Sequence, residues 1–215
     1  MKKHSFAIKV CGITRQSDLS TGMAMGAHFC GFVFHPKSPR YIAPERAAAL
    51  DSALIRRVGV FVNQDAEQIM DIMKTARLEF AQLHGNQSLD CARRIGAGKV
   101  IRVLWPDSYD SLDAMQREMD LWADSCSWFL LDAGRQGGGH GTALDWKALA
   151  SLQAPRPWFL AGGLSSASLN RALEQCTPNG IDLNSGVEAI PGQKSPQKLL
   201  AALKPLISYT PYHIA

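Results

Sequence analysis

The chain has no Cys-x-x-Cys pair, no block of five or six basic residues and no Gly-x-Gly-x-x-Gly after its first apolar run. It also has no apolar run approaching the ~18 residues that cross a bilayer. Each absence removes a class. The five cysteines, Cys11, Cys30, Cys91, Cys126 and Cys176, are odd in number and widely spaced, which excludes a disulfide framework and a zinc site. The 23 basic and 19 acidic side chains are mixed along the chain, so neither nucleic acid nor a membrane surface is an expected partner. Met1-Lys2-Lys3 opens the chain, but Lys9 interrupts the following apolar run too early for a signal peptide. A reduced cytoplasmic protein is expected. No composition shift, linker or low-complexity stretch divides the 215 residues, so a single domain over 1–215 is expected, with 208–215 as a tail of undefined order.

What is present is alternation. Apolar, β-branched or aromatic runs fall at roughly 6–11, 28–34, 56–62, 79–83, 99–104, 127–132, 157–161 and 180–184. Each is nearly continuous in apolar character, as parallel strands covered on both faces are. Amphipathic stretches lie between them, near 17–26, 44–53, 65–76, 87–95, 109–123, 145–151, 166–173 and 196–207. Thr14 or Ser17 is a candidate cap for the first helix, Pro44-Glu45 suits a first turn, and Asn63 and Ser88 mark further entries. Eight such units of about 25 residues describe an α/β protein with a (β/α)8 TIM barrel. An open doubly wound sheet is the alternative.

Barrel active sites sit at the C-terminal rim of the strands, so the residue that ends each strand is a candidate. Strand one delivers Cys11, followed by Gly12 for a sharp turn. Cys11 is either a reactive thiol or a small buried apolar residue. The second strand leads into His35-Pro36-Lys37-Ser38-Pro39-Arg40-Tyr41, where two prolines stiffen the loop that presents Arg40. Arg40 can grip a carboxylate bidentately or stand on the surface. Strand four ends at His84, a substrate contact or a turn residue. Strand six ends at Asp132 behind Trp128-Phe129-Leu130-Leu131; desolvation there would make a general acid, and an N-cap or loop ion pair is the other reading. A glycine-rich stretch, Gly137-Gly138-Gly139-His140-Gly141, follows, a pattern suited to closing over a ligand.

The last two strands carry the clearest local signal. Gly162-Gly163 and Asn184-Ser185-Gly186 place backbone N–H groups at neighbouring turns, where barrels often bind phosphate. Asp182 can orient a substrate hydroxyl or hold the phosphate loop. No lysine looks placed at a strand's inner end for Schiff-base chemistry of the aldolase kind.

Together these residues resemble phosphoribosylanthranilate isomerase. The blocks run in order along essentially the whole chain: Lys9-Val10-Cys11-Gly12-Ile13-Thr14, Gly31-Phe32-Val33-Phe34, Ser38-Pro39-Arg40-Tyr41, Gly59-Val60-Phe61-Val62, Gln82-Leu83-His84-Gly85, Leu131-Asp132, Asp145-Trp146, Leu160-Ala161-Gly162-Gly163-Leu164 and Ser185-Gly186-Val187-Glu188. The resemblance implies an Amadori rearrangement, the third step of tryptophan biosynthesis from chorismate. N-(5-phospho-β-D-ribosyl)anthranilate becomes 1-(2-carboxyphenylamino)-1-deoxy-D-ribulose 5-phosphate. It further implies Cys11 as general base, Asp132 as general acid and Arg40 as the anthranilate carboxylate clamp. No metal or organic cofactor is expected, because the substrate carries its own electron sink, and a monomer or homodimer is expected. The expected ionisation inverts the ordinary order, with burial raising Asp132 and the rim's positive field lowering Cys11. Two positions depart from the family: His140 stands where Ser or Thr is usual, and Asn184 where Ser is usual.

A related isomerase of histidine biosynthesis would carry carboxylates on strands one and five. Here strand one ends in Cys11, and Arg102-Val103-Leu104-Trp105 precedes the first carboxyl, Asp107. A catalytically silent phosphate-binding protein is the remaining alternative, and the Cys11 and Asp132 pair argues against it.

Overall fold

The computed structural model describes residues 6–132, 146–204 and 206. Eight parallel strands close into a barrel in sequence order, and helices separate them. The strands are β1 (Ala7–Val10), β2 (Phe29–Val33), β3 (Arg56–Phe61), β4 (Phe80–Leu83), β5 (Val100–Leu104), β6 (Trp128–Asp132), β7 (Trp158–Ala161) and β8 (Gly180–Leu183). All eight expected strands are therefore present, and the open sheet is excluded by the pairing of β1 with β8.

Period-two geometry sorts each strand's side chains between two cores. Ile8 and Val10 face outward to the helices, whereas Ala7 packs inside the barrel. The lower barrel is plugged by aromatics from alternate strands, as barrels fill in layers. Phe29 of β2 meets Phe80 of β4 and Trp128 of β6 edge-on, at 5.7 and 6.0 Å between ring centroids. Gly180 of β8 supplies the missing volume: a Cβ there would lie 2.9 Å from Phe159. Above the plug, at the upper rim, Cys11, Val33 and Val60 form a small separate cluster.

The helices are α1 (Gln16–Ala24), α2 (Pro44–Ala48), α3 (Ala66–Thr75), α4 (Leu89–Ile95), α5 (Leu112–Trp122), α6 (Trp146–Leu149), α7 (Leu169–Gln175) and α8 (Pro196–Leu203). Several entries differ from expectation. Neither Thr14 nor Ser17 caps α1; Arg15 occupies the N-cap without a side-chain bond, and Thr14 Oγ1 donates instead to the Gly192 carbonyl at 2.6 Å. Asp65, not Asn63, caps α3 in a reciprocal capping box with Gln68, while Ser88 caps α4 as expected. Pro44 does open α2, which stops at Ala48, well short of residue 53.

One element was not foreseen. After β8, a short antiparallel hairpin forms from β9 (Glu188–Ile190) and β10 (Gln193–Lys194). It folds over the rim beside β1, held by the Thr14 bond to Gly192. The glycine-rich loop after β6, including Gly137 to Gly141 with His140, and the tail 208–215 lie outside the described residues. Among the described residues, no helix is long and apolar enough to cross a membrane.

Candidate active site

The C-terminal rim encloses a cavity of about 400 Å³. Cys11, Arg40, His84, Asp132, Gly162, Gly163, Asp182, Asn184 and Ser185 all line it. The elements that bring them together are far apart in sequence: β1, the β2 loop, β4, β6, β7 and β8. Gly186 does not line the cavity. A Cβ there would run into the Leu164 carbonyl, so this glycine permits the β7 and β8 turns to touch. A wider groove between the starts of α3 and α4 holds caps already bonded to Gln68 N and Cys91 N. Its lining includes Cys91 and Arg94 but none of Cys11, Arg40 and Asp132.

Cys11 follows β1, its N–H donating to the Leu183 carbonyl at 2.9 Å, so the thiol stands where β1 and β8 meet the cavity. The residue is only 4% exposed. Gly31 makes its room: a Cβ at that position would sit 2.6 Å from the Cys11 sulfur. Burial is the largest influence on the thiol and pushes it above its ordinary value; the nearby Lys9 and Lys194 charges pull the other way without prevailing. The expected lowering of Cys11 is thus corrected. A buried thiolate loses more hydration than the rim's positive charges return.

Beneath the thiol lies Lys9, fully buried, with Nζ donating to Asp182 Oδ2 at 2.8 Å. The pairing partners Lys9 and Asp182 are in register across β1 and β8. A lysine does therefore point into the barrel, contrary to the sequence expectation. Burial is the largest single influence and acts to lower its ionisation, but the charges and hydrogen bonds of Asp182 and Cys11 together outweigh it, and the ammonium is held above its ordinary value. A locked ammonium is no Schiff-base amine. His84 is driven down to about 4, first by burial and then by the Lys9 charge, so its ring is neutral at neutral pH. It meets Trp105 edge-on at 5.4 Å and pairs with the Gln82 amide at 3.1 Å.

Arg40 is not a free fork. Its Nε and Nη2 donate to the two oxygens of Glu188 at 2.9 and 2.7 Å. This side-on pairing leaves the end-on Nη1–Nη2 edge for a ligand carboxylate. Glu188 also accepts from Lys194 Nζ at 2.9 Å and from Gly192 N at 3.1 Å. Burial alone would raise the Glu188 carboxyl, but the bonds from Arg40 and Lys194 bring it below the usual range. Lys194 donates further to Asn184 Oδ1 at 2.9 Å, which turns the Asn184 amide so that its NH₂ group remains available to donate. Gly12 passes between these parts with φ of +73°; a Cβ there would lie 2.7 Å from Asn184 Oδ1 and 2.8 Å from Arg40 Cδ.

Across the rim, Asp132 ends β6, in register with Ala161 of β7. Gly162 and Gly163 follow with φ of 91° and 64°, two left-handed residues in succession that only glycine adopts at no steric cost. The neighbouring turn, Ser185–Val187, is a single 3₁₀ turn after Asn184. The two turns are therefore adjacent, as a phosphate site requires.

Sequence reasoning missed Lys9, Gln82, Glu188 and Lys194. Lys9 had a visible signal, a charge alternating with Cys11 on one face of an apolar strand. Glu188 appears in the block Ser185-Gly186-Val187-Glu188, but its pairing does not, and Lys194 had no signal, because their partners come from elements more than 100 residues away or from an unforeseen hairpin.

Comparison with known proteins gives the family and the fold. The family model for N-(5'phosphoribosyl)anthranilate (PRA) isomerase matches residues 8–204. The N-(5'-phosphoribosyl)anthranilate isomerase of Desulfovibrio desulfuricans is 55% identical over 196 residues, covering 91% of this chain and 93% of its own. The crystal structure of phosphoribosyl anthranilate isomerase from Thermotoga maritima superposes with a TM-score of 0.82 at 32% identity, covering 93% of this chain and 97% of that one. The Thermus thermophilus enzyme gives 0.81 at 37% identity, with 94% and 99% covered. A phosphoribosyl anthranilate isomerase in complex with reduced 1-(o-carboxyphenylamino)-1-deoxyribulose 5-phosphate gives 0.78 at 31%, with 93% and 97% covered. From its first strand to its last helix, this chain belongs to the phosphoribosylanthranilate isomerase family.

Proposed function

We propose that the cavity carries out the family's rearrangement with Cys11 as general base and Asp132 as general acid, on a substrate held by Arg40 at its carboxylate and by the two glycine turns at its phosphate. The observation that carries this reading is that a thiol and a carboxyl from β1 and β6 face one cavity that also contains an arginine edge and paired amide turns. The reaction is an isomerisation of tryptophan biosynthesis, N-(5-phospho-β-D-ribosyl)anthranilate to 1-(2-carboxyphenylamino)-1-deoxy-D-ribulose 5-phosphate.

Opening the furanose needs a proton on the ring oxygen, which Asp132 gives. The anthranilate nitrogen lone pair then forms an iminium at C1. The iminium acidifies the hydrogen on C2, and Cys11 removes it. Each transfer contributes on the order of 10²–10⁴-fold. Phosphate is held by the backbone N–H groups of Gly163 and Ser185, with the Asn184 amide as a side-chain donor in the place of the usual serine. His84, neutral and beside Trp105, supplies a flat wall for the substrate. Asp182 meets a sugar hydroxyl. Every cavity-lining group named comes from one chain, so a monomer and a homodimer both suit the site. The five cysteines are free thiols, which supports a reducing, cytoplasmic setting.

Arg40→Lys tests the placement. Lysine keeps the charge and loses the planar fork. Competitive inhibition by anthranilate is expected to weaken about tenfold or more, corresponding to the ~1.4 kcal/mol of one charge-assisted hydrogen bond. Inhibition by inorganic phosphate is expected to change by much less. Equal weakening of both inhibitors would remove Arg40 from the carboxylate end.

A further inference from the structure

The acid–base pair leaves one proton transfer unassigned, that of the hydroxyl at C2. When Cys11 has taken the hydrogen from C2, the intermediate is an enolamine, N–C1=C2–OH. The product has a ketone at C2 and two hydrogens at C1. The O–H bond at C2 must break, its electron pair becoming the second bond of C2=O, while the C1=C2 pair takes a proton at C1. Cys11, now a thiol, stands at the adjacent carbon and can return its proton there. The hydroxyl proton must leave by another route. As C1 is protonated this hydroxyl becomes that of a protonated ketone, acidic enough for a weak base.

A suitable group stands beside the thiol. Asp182 is 6% exposed and lines the cavity. Its Oδ2 is taken by Lys9 at 2.8 Å, but its Oδ1 is buried and meets no donor among the described residues. A buried carboxylate oxygen without a donor is costly, and a ligand donor that meets it recovers the loss. Lys9 and Cys11 lie two residues apart on an extended strand and share its inward face, and Lys9 is in register with Asp182. The thiol that reaches C2 and the unpaired oxygen thus occupy neighbouring strands. The donor at the carbon the thiol attacks is the C2 hydroxyl.

We propose that Asp182 is a further catalytic residue: its Oδ1 accepts the C2 hydroxyl proton as the ketone forms, while Lys9 fixes the carboxylate through Oδ2. The protons balance. Asp132 has lost one to the ring oxygen, Cys11 has taken one from C2 and returned it to C1, and Asp182 has gained one. Transfer from Asp182 to solvent and from solvent to Asp132 after product release restores the enzyme. The proposal rests on the assignment of Cys11 as the base.

The test is a single-turnover measurement with substrate carrying hydrogen or deuterium at C2, in H₂O and D₂O, on wild type, Asp182→Asn and Cys11→Ala. Asparagine preserves shape and still bonds Lys9 but takes no proton. The Asp182→Asn rate is expected to fall on the order of 10²-fold. Its C2 isotope effect should collapse toward unity and its solvent isotope effect should grow, because ketone formation then limits the rate. A Lys9→Met/Asp182→Asn variant, which leaves no unpaired buried charge, is expected to give the same signature and serves if the single variant does not fold. An undiminished rate, or a slowed rate with the C2 isotope effect at its wild-type size, would overturn the proposal. Retention of rate and isotope effect by Cys11→Ala would instead remove the base assignment on which it stands.

Discussion

Replacing Cys11 by alanine is expected to lower turnover by at least ~10²-fold, the least that loss of a general base costs, while the barrel stays folded and still binds a product analogue. The thiol touches Val33 and Val60 and sits over Gly31, so alanine removes one sulfur atom from a small apolar corner. Neither the lower aromatic plug nor the helix layer touches this corner. Conversion followed by the fluorescence of the anthranilate group checks the rate, and thermal unfolding checks the fold. A variant retaining more than about a tenth of wild-type activity is incompatible with a general base at this position.

Asp132→Asn is expected to be as damaging, at ~10²–10⁴-fold, because an amide keeps the shape and donates no proton to the furanose oxygen. The pH dependence carries further information. The productive enzyme combines a thiolate with a protonated carboxyl, so the rate follows the product of the two fractions. Cys11 is pushed upward by burial, and a base shifted this way is deprotonated only above the ordinary thiol value of ~8.5. Where the thiol ionises above the carboxyl, the rate rises with pH until the carboxyl ionises and then levels. It falls once pH passes the raised value of the thiol, since beyond it the thiolate fraction no longer grows while the protonated carboxyl still declines. The alkaline limb therefore belongs to Cys11 and is expected above ~8.5. Ultraviolet difference titration of wild type against Cys11→Ala should show no Cys11 thiolate at neutral pH. A thiolate present at pH 7, or an Asp132→Asn enzyme with unchanged activity, contradicts this account.

The barrel was legible because its determinants are local. Each strand is a short apolar run, each helix an amphipathic stretch, and the rim residues Cys11, His84, Asp132, Asp182 and Asn184 sit at or just beyond strand ends. Asp65 escaped as a cap because a helix start is decided by which of several polar residues reaches the third amide on, and Asp65 bonds Gln68 N where Asn63 lies too early. What stayed hidden depends on contacts between distant elements. Arg40 reads in sequence as an available guanidinium, yet its Nε and one Nη2 hydrogen are spent on Glu188, 148 residues away. The direction of the Cys11 shift was misjudged because sequence shows which charges surround a thiol and not how completely water is removed from it. Lys9 was visible as an interruption of an apolar run, and its meaning appears only when β8 is placed beside β1.

The central claim is that thiol and carboxyl act on one substrate from separate parts of the rim, with its carboxylate at Arg40 and its phosphate at the glycine turns. A crystal structure with the reduced product, 1-(2-carboxyphenylamino)-1-deoxyribitol 5-phosphate or its equivalent, tests this most directly. The expected result places the phosphate on the amides of Gly163 and Ser185, the carboxylate on the Nη1–Nη2 edge of Arg40, and the Cys11 sulfur about 3–3.5 Å from C2, the distance of a reacting pair. A ligand lying in the reverse sense, with its carboxylate at the glycine turns, or with Asp132 rather than Cys11 beside C2, would contradict it.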